Sequence, residues 1–220
     1  MDRILEPEVM DSCEDSEAYD AMDHTEVNIA FVERVLELGA KGGRILDVGT
    51  GPAAIPILLA QRLPIVEVFG IDLSASMLEL GDFHVAEAGM TDRIVLEQAD
   101  AKDLPFPNQF FDGVLSNSIM HHIPDPLPML REVNRVVRSD GLILIRDLIR
   151  PNSTEAALGL VEKHASGATP YQKKLFYDSF LAAFTISEVE DMISQVNFLG
   201  TVVVQSSDRH WSVERPKEVD

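Results

Sequence analysis

Short apolar segments alternate with helical ones from residue 44 to residue 147, and this rhythm constrains the fold more than any other feature. Arg44-Ile-Leu-Asp-Val48 is a short strand, and a glycine turn, Gly49-Thr-Gly51, follows it. An apolar helix is predicted over 53–62. Pro52 and Pro56 are tolerable there, because the N–H groups of a first turn have no intrahelical acceptor. A second strand, 65–71, ends at Asp72, and Ser74 is placed to cap a helix over 75–88. Strands at 94–97 and 110–115 come next. A helix over 128–138, a turn at Ser139-Asp-Gly141 and a strand over 142–147 complete the series. This alternation of short, mostly apolar strands with helices predicts an open α/β sheet, mostly parallel and covered on both faces.

A helix over 25–38, with Phe31, Val32 and Val35 on its apolar stripe, precedes the series. After Pro151 the rhythm changes. Three helices are predicted, over 154–165, 171–184 and 187–196, with a capping box at Ser187-Glu-Val-Glu190. Strands at 201–205 and 210–214, joined by Ser206-Ser-Asp208, predict a closing antiparallel hairpin.

The 220 residues suit one domain, 25–220, with a helical insertion at about 154–196. Residues 1–24 are set apart by charge. Ten acids fall among the first 26 residues against Arg3 alone, so this segment is either a flexible tail or a lid that orders over a site. The whole chain carries 37 acids and 18 bases, a net charge of −19. That argues against broad contact with nucleic acid or anionic lipid, both of which need a basic face. One cysteine, Cys13, precludes an intramolecular disulfide and a cysteine-based zinc site. No apolar run is long enough to cross a bilayer, and the N-terminus lacks the basic start and apolar stretch of a signal peptide. The expected location is the cytoplasm. Nothing here sets an oligomeric state.

In open α/β sheets, ligands sit beyond the carboxyl ends of the strands. Gly49 and Gly51 follow the first strand, where glycine allows a tight turn and close approach of a ligand. Asp72 ends the second strand at a spacing suited to accepting hydrogen bonds from both hydroxyls of a ribose. Asp100 follows the third, where a carboxylate can accept from an adenine amino group. Together they describe an adenosine-shaped site. Asp47, inside an apolar strand, is costly unless paired or hydrogen-bonded. It suits a cationic ligand or an ordered glycine loop, whereas an anionic pyrophosphate gains nothing from it.

These segments resemble the class I S-adenosylmethionine-dependent methyltransferases, in their small-molecule branch that includes the quinone-biosynthesis enzymes. Ile45-Leu-Asp-Val-Gly-Thr-Gly51 is similar to their first motif, and Gly70-Ile-Asp-Leu-Ser74 with Met77 to the second. Gln98-Ala-Asp-Ala101 resembles the adenine-contacting segment, and the likeness runs over about 18–150. It implies a Rossmann-like fold: an open, mostly parallel, seven-stranded α/β sheet ending in the antiparallel hairpin. It implies that S-adenosylmethionine is the cofactor and a small molecule the methyl acceptor. Gly49, Thr50 and Gly51 would line the methionine part, Asp72 the ribose, and Leu73 and Met77 the adenine. Asp100 and Ala101 would meet the amino end, and Ser116 the sulfonium side. Tyr19 would reach the methionine carboxylate from the N-terminal segment. The family's usual third glycine is Ala53 here, for which tighter helix packing is expected. Two alternatives stand beside this reading: an NAD(P)-dependent oxidoreductase, and a non-catalytic S-adenosylmethionine-binding protein.

Methyl transfer asks little covalent work of a protein beyond alignment, exclusion of water and sometimes removal of a proton. The segment after the fourth strand holds His121 and His122, either of which can serve as a general base near neutral pH. No metal is expected, because adjacent histidines usually point apart.

Overall fold

The computed structural model describes residues 1–6 and 24–217. Seven strands form one sheet: β1 (Gly43–Val48), β2 (Val66–Asp72), β3 (Ile94–Gln98), β4 (Phe111–Asn117), β5 (Val137–Leu148), β6 (Val202–Gln205) and β7 (His210–Arg215). Their order is β3-β2-β1-β4-β5-β7-β6. All neighbours are parallel except β7, which runs antiparallel to both β5 and β6. The expected Rossmann-like sheet and closing hairpin are therefore present, with the last strand inserted ahead of the one before it. The order reverses between β1 and β4, which opens a crevice above their carboxyl ends.

Among the described residues, seven α-helices flank the sheet: α1 (Thr25–Glu37), α2 (Ala54–Arg62), α3 (Ala75–Glu87), α4 (Leu127–Val136), α5 (Thr154–His164), α6 (Pro170–Ala182) and α7 (Ile186–Gln195). Alternation along the strands divides the core in two. Ile45, Leu115, Leu142 and Leu144 pack with Phe31 and Val35 of α1 and Leu59 of α2. Leu46, Val48, Val114, Ile143 and Ile145 pack on the other face with Leu130 and Val133 of α4 and Val189 of α7. Burial on both faces is why these strands read as continuous apolar runs.

Two local expectations are corrected. Ser139-Asp-Gly141 is no free turn but a bulge within β5. Phe111 pairs with Val137 and Gly113 with Leu142, so β5 runs from the end of α4 and sets its extra polar residues outward. Pairing of Val137 with the edge of β4 wins over the local turn preference. The capping box of α7 is Thr185 with Glu188, not Ser187 with Glu190. Arg150 decides this: it donates to Ala183 O and to Glu188 Oε1, which anchors the earlier pair.

Ala53 precedes α2 with φ 63°, in the left-handed region, and is fully buried. The position that is usually glycine thus keeps a glycine conformation. A methyl fits against Gly81 of α3, where an added Cβ would come within 3.4 Å of Ala53 Cβ. A β-branched side chain cannot adopt this backbone without strain. Ala53→Val should cost about 2–4 kcal/mol, combining strain with overpacking. A urea titration reads it as a lower midpoint, and an unchanged midpoint would contradict the assigned backbone.

Candidate active site

A cavity of about 480 Å³ opens above the carboxyl ends of β1, β2 and β4. Its size lies within the range of small-molecule sites, about 300–1,000 Å³. The glycine turn forms one wall. Gly49, at φ 73°, lies so close to Ile119 that an added Cβ would sit 2.2 Å from its Cγ2. Gly51, at φ 53°, would place a Cβ in open space, so its backbone is bare to the cavity. Gly49 N and Thr50 N donate to Ile71 O at 2.8 and 2.9 Å, which ties the turn to β2.

Asp72 organises this end of the sheet. Oδ2 accepts from Gly51 N and Oδ1 from Ser74 N, each at 2.9 Å. One carboxylate thus holds the glycine turn and the start of α3. Ser74 then caps α3 by accepting from Met77 N, as its place in the sequence predicts. Leu73, Met77, Asp100 and Ala101 lie in the cavity wall with Gly49, Thr50, Gly51 and Asp72. Asp100 pairs with the neighbouring Lys102, at 3.2 Å.

Two expected site residues stand outside the cavity wall, and a third lies outside the described residues. Asp47 is 1% exposed and stands behind the turn, accepting from Thr50 Oγ1 at 2.8 Å. Of the two uses foreseen for it, the structure displays loop ordering. Burial pushes its pKa up, the Thr50 hydrogen bond pulls it back, and the charge of Asp72 adds to the rise, leaving it at about 7. Ser116 is buried and is not among the residues lining the cavity, and its Oγ is unpartnered. Tyr19 lies outside the described residues, as do Cys13 and most of the acidic segment.

The histidines do not point apart. Their ring centroids are 4.2 Å from each other, on a 3-10 turn over Met120–His122. His122 lines the cavity, whereas His121 is buried behind it. His121 Nδ1 meets Asp147 Oδ1 at 2.6 Å, and Asp147 also accepts from the backbone of His121 and Leu148. Burial works to lower the pKa of His121, but the charge and hydrogen bond of Asp147, with Glu6, hold it above its ordinary value. Burial works to raise that of Asp147, and the same histidine with the backbone donors holds it below.

Glu6 completes the set and was not foreseen. Its Oε1 lies 3.3 Å from both His121 Nε2 and His122 Nδ1. These donor atoms all lie within 4.8 Å of one another, close enough to share a proton or hold a cation. Arg3 fixes the segment that delivers Glu6. Its guanidinium donates to the carbonyls of His121, Ile123, Pro124 and Ala182 and stacks on Phe184 at 3.8 Å. The available signal in the sequence was Arg3, the one base among the early acids. Asp147 was visible only as an acid ending an apolar strand.

Fold and cavity together define a Rossmann-like α/β domain with a cleft at the carboxyl ends of its strands. The model of the methyltransferase domain family matches residues 40–209, and the chain belongs to that family. It is 34% identical over 108 residues, 49% of this chain and 39% of the relative, to 27-O-demethylrifamycin SV methyltransferase of Amycolatopsis mediterranei. It is 33% identical over 119 residues, 53% and 51% of the two chains, to the ubiquinone/menaquinone biosynthesis C-methyltransferase of Citrifermentans bemidjiense. The chain therefore spans 39% and 51% of the length of these two relatives. A Methanococcus maripaludis structure held to be an S-adenosyl-L-methionine-dependent methyltransferase superposes with a TM-score of 0.72, covering 100% and 99% of the two chains. Its 17% identity speaks for the fold alone.

Proposed function

We propose that this protein transfers a methyl group from S-adenosylmethionine to a small-molecule acceptor. The observation that carries the reading is Asp72, fixed by two backbone N–H groups at the rim of the cavity beside the bare backbone of Gly51. A carboxylate held this way is pre-organised for a ribose. Gly49, Thr50 and Gly51 would hold the methionine part, Leu73 and Met77 the adenine faces, and Asp100 and Ala101 its amino edge. The cofactor supplies an already activated methyl group, so the chain must bind, orient and exclude water.

His122, in the cavity wall, is placed to accept the acceptor's proton. Its Nδ1 faces Glu6, Glu6 faces His121, and Asp147 orients His121. His122 is the base in this reading, and His121, Glu6 and Asp147 are positioning residues. The N-terminal segment acts as a lid: deleting residues 1–23 removes Arg3 and Glu6 and should weaken cofactor affinity at least about fivefold. Unchanged affinity in a direct titration would remove the lid. The charge of −19 supports a protein without nucleic-acid or membrane-surface partners, and the location proposed for it is the cytoplasm. No helix among the described residues is long and apolar enough to cross a membrane.

Calorimetric titration with S-adenosylmethionine, S-adenosylhomocysteine, NAD and NADP tests the cofactor. Binding of the first pair alone is expected. Binding of NAD or NADP alone would recast Asp72 as a dinucleotide ligand and sink the proposal. Binding of the first pair, with no turnover across a broad panel of acceptors, would favour a non-catalytic role.

A further inference from the structure

The face of the sheet beneath α1 carries a second polar group at the same end. Asn117 of β4, Arg146 of β5 and Ser212 of β7 are paired in register across three neighbouring strands. They share the face of Leu142 and Leu144. Arg146 is 8% exposed, and its guanidinium lies 4.9 Å from the ring centroid of Phe31 in α1. Its Nε, Asn117 Oδ1 and Ser212 Oγ are all buried without a hydrogen-bond partner. Three orphaned polar atoms side by side are uncommon in a folded core and call for a ligand.

The surrounding charges identify its sign. Glu214, two positions from Ser212 on the same face, gives both oxygens to Arg34. His210, two positions the other way, is pushed down to about 4 by burial and by the charges of Arg209 and Arg146, against Asp147 and Asp208. It is therefore neutral near pH 7. A chain of net charge −19 thus sets here a buried guanidinium whose Nε has no hydrogen-bond partner and whose nearest carboxylate, Glu214, bonds to Arg34 instead. A guanidinium flanked by a hydroxyl and an amide, which turned over offers its N–H, complements a carboxylate.

Position identifies the source. The adenosine-shaped half of the site spans the ends of β1, β2 and β3. Asn117 stands in the cavity wall at the end of β4. Arg146 and Ser212 lie one and two strands further on, at about 4.8 Å per strand, on the side away from Asp72. We infer that Arg146, with Asn117 and Ser212, binds a carboxylate of the methyl acceptor. The inference rests on the methyltransferase reading and narrows its acceptor to an organic anion.

Thermal unfolding of the protein saturated with S-adenosylhomocysteine, titrated with benzoate or with benzamide at matched ionic strength, tests it. Benzoate should raise the midpoint and benzamide should not. Arg146→Met should weaken benzoate binding about tenfold or more while changing S-adenosylhomocysteine affinity less than about twofold. Ser212→Asp, which sets a carboxylate opposite Arg146, should abolish the benzoate effect and covers the case in which Arg146→Met does not fold. Equal response to benzoate and benzamide, or benzoate binding untouched by both variants, would overturn the inference. So would a loss in Arg146→Met that falls on S-adenosylhomocysteine but spares its analogue lacking the α-carboxylate, since the anion would then be the cofactor's own. Failure of the unmutated protein to bind S-adenosylhomocysteine, read before any benzoate is added, would instead bring down the underlying reading.

Discussion

Asp72→Ala should lower the affinity for S-adenosylhomocysteine about 100-fold or more, and Asp47→Asn less than about fivefold. Asp72 offers two charged acceptors to a ribose, and hydrogen bonds to charged groups contribute about 1.5–3 kcal/mol each. Its removal also orphans Gly51 N and Ser74 N, which it now satisfies. The glycine turn then loses its anchor along with the ligand. Asp47 is different. It touches Thr50 rather than the cavity, and its pKa of about 7 leaves it part neutral at physiological pH. Asparagine matches the neutral form. Calorimetry on both variants decides the matter, and an Asp72→Ala protein that binds within threefold of the parent would sink the ribose assignment.

The same substitution carries a stability prediction with a definite sign. A carboxyl whose folded pKa is raised favours folding at pH below its unfolded value, about 3.9. That advantage is lost as pH rises through the folded value of about 7. Asp47→Asn should therefore stabilise the protein more at pH 8 than at pH 4. Equal shifts of the denaturant midpoint at the two pH values would contradict it.

His122→Ala should lower kcat by about 10²–10⁴, the usual contribution of a general base. The positioning role of the residues behind it is read in the pH profile. A base must be unprotonated to work, so kcat/KM should rise with pH, and Asp147, which raises the pKa of His121 beside His122, should set where that rise falls. Asp147→Asn removes the charge that raises it, and the acid limb should move to lower pH. A purely structural Asp147 would reduce activity without moving that limb. Stability runs the opposite way to activity. The contribution of His121 is complete below its unfolded pKa, about 6.5, and fades as pH rises through the folded value. Asp147, held low, contributes above its own unfolded value, about 3.9, and loses that as pH falls through the folded one. The network should therefore stabilise most between these limits.

Much of the architecture was legible because its cause is local. The β1 and β4 runs are mostly apolar since helices cover both faces, and this pattern needs no tertiary knowledge to read. Ser74 caps α3 through its own next turn, so the prediction from sequence carried over to the structure. Gly49, Gly51 and Asp72 fall at strand ends, where a parallel sheet always presents its ligand edge. The errors fell where distant contacts compete with local preference. Ser139-Asp-Gly141 looks like a turn, but pairing with β4 makes it a bulge. Ser187 looks like a cap, but Arg150 anchors Thr185 and Glu188 instead.

The sequence by itself determined the sheet, the glycine turn and the acid that follows it, because each depends on period, spacing and backbone freedom within a few residues. Only the tertiary structure decided that Asp47 and Ser116 stand outside the cavity wall, that Glu6 meets two histidines more than a hundred positions away, and that Arg146 joins Asn117 and Ser212. The physical reason is register. Which side chains become neighbours across a sheet, and which of them are left buried without partners, follows from how strands far apart in the chain align.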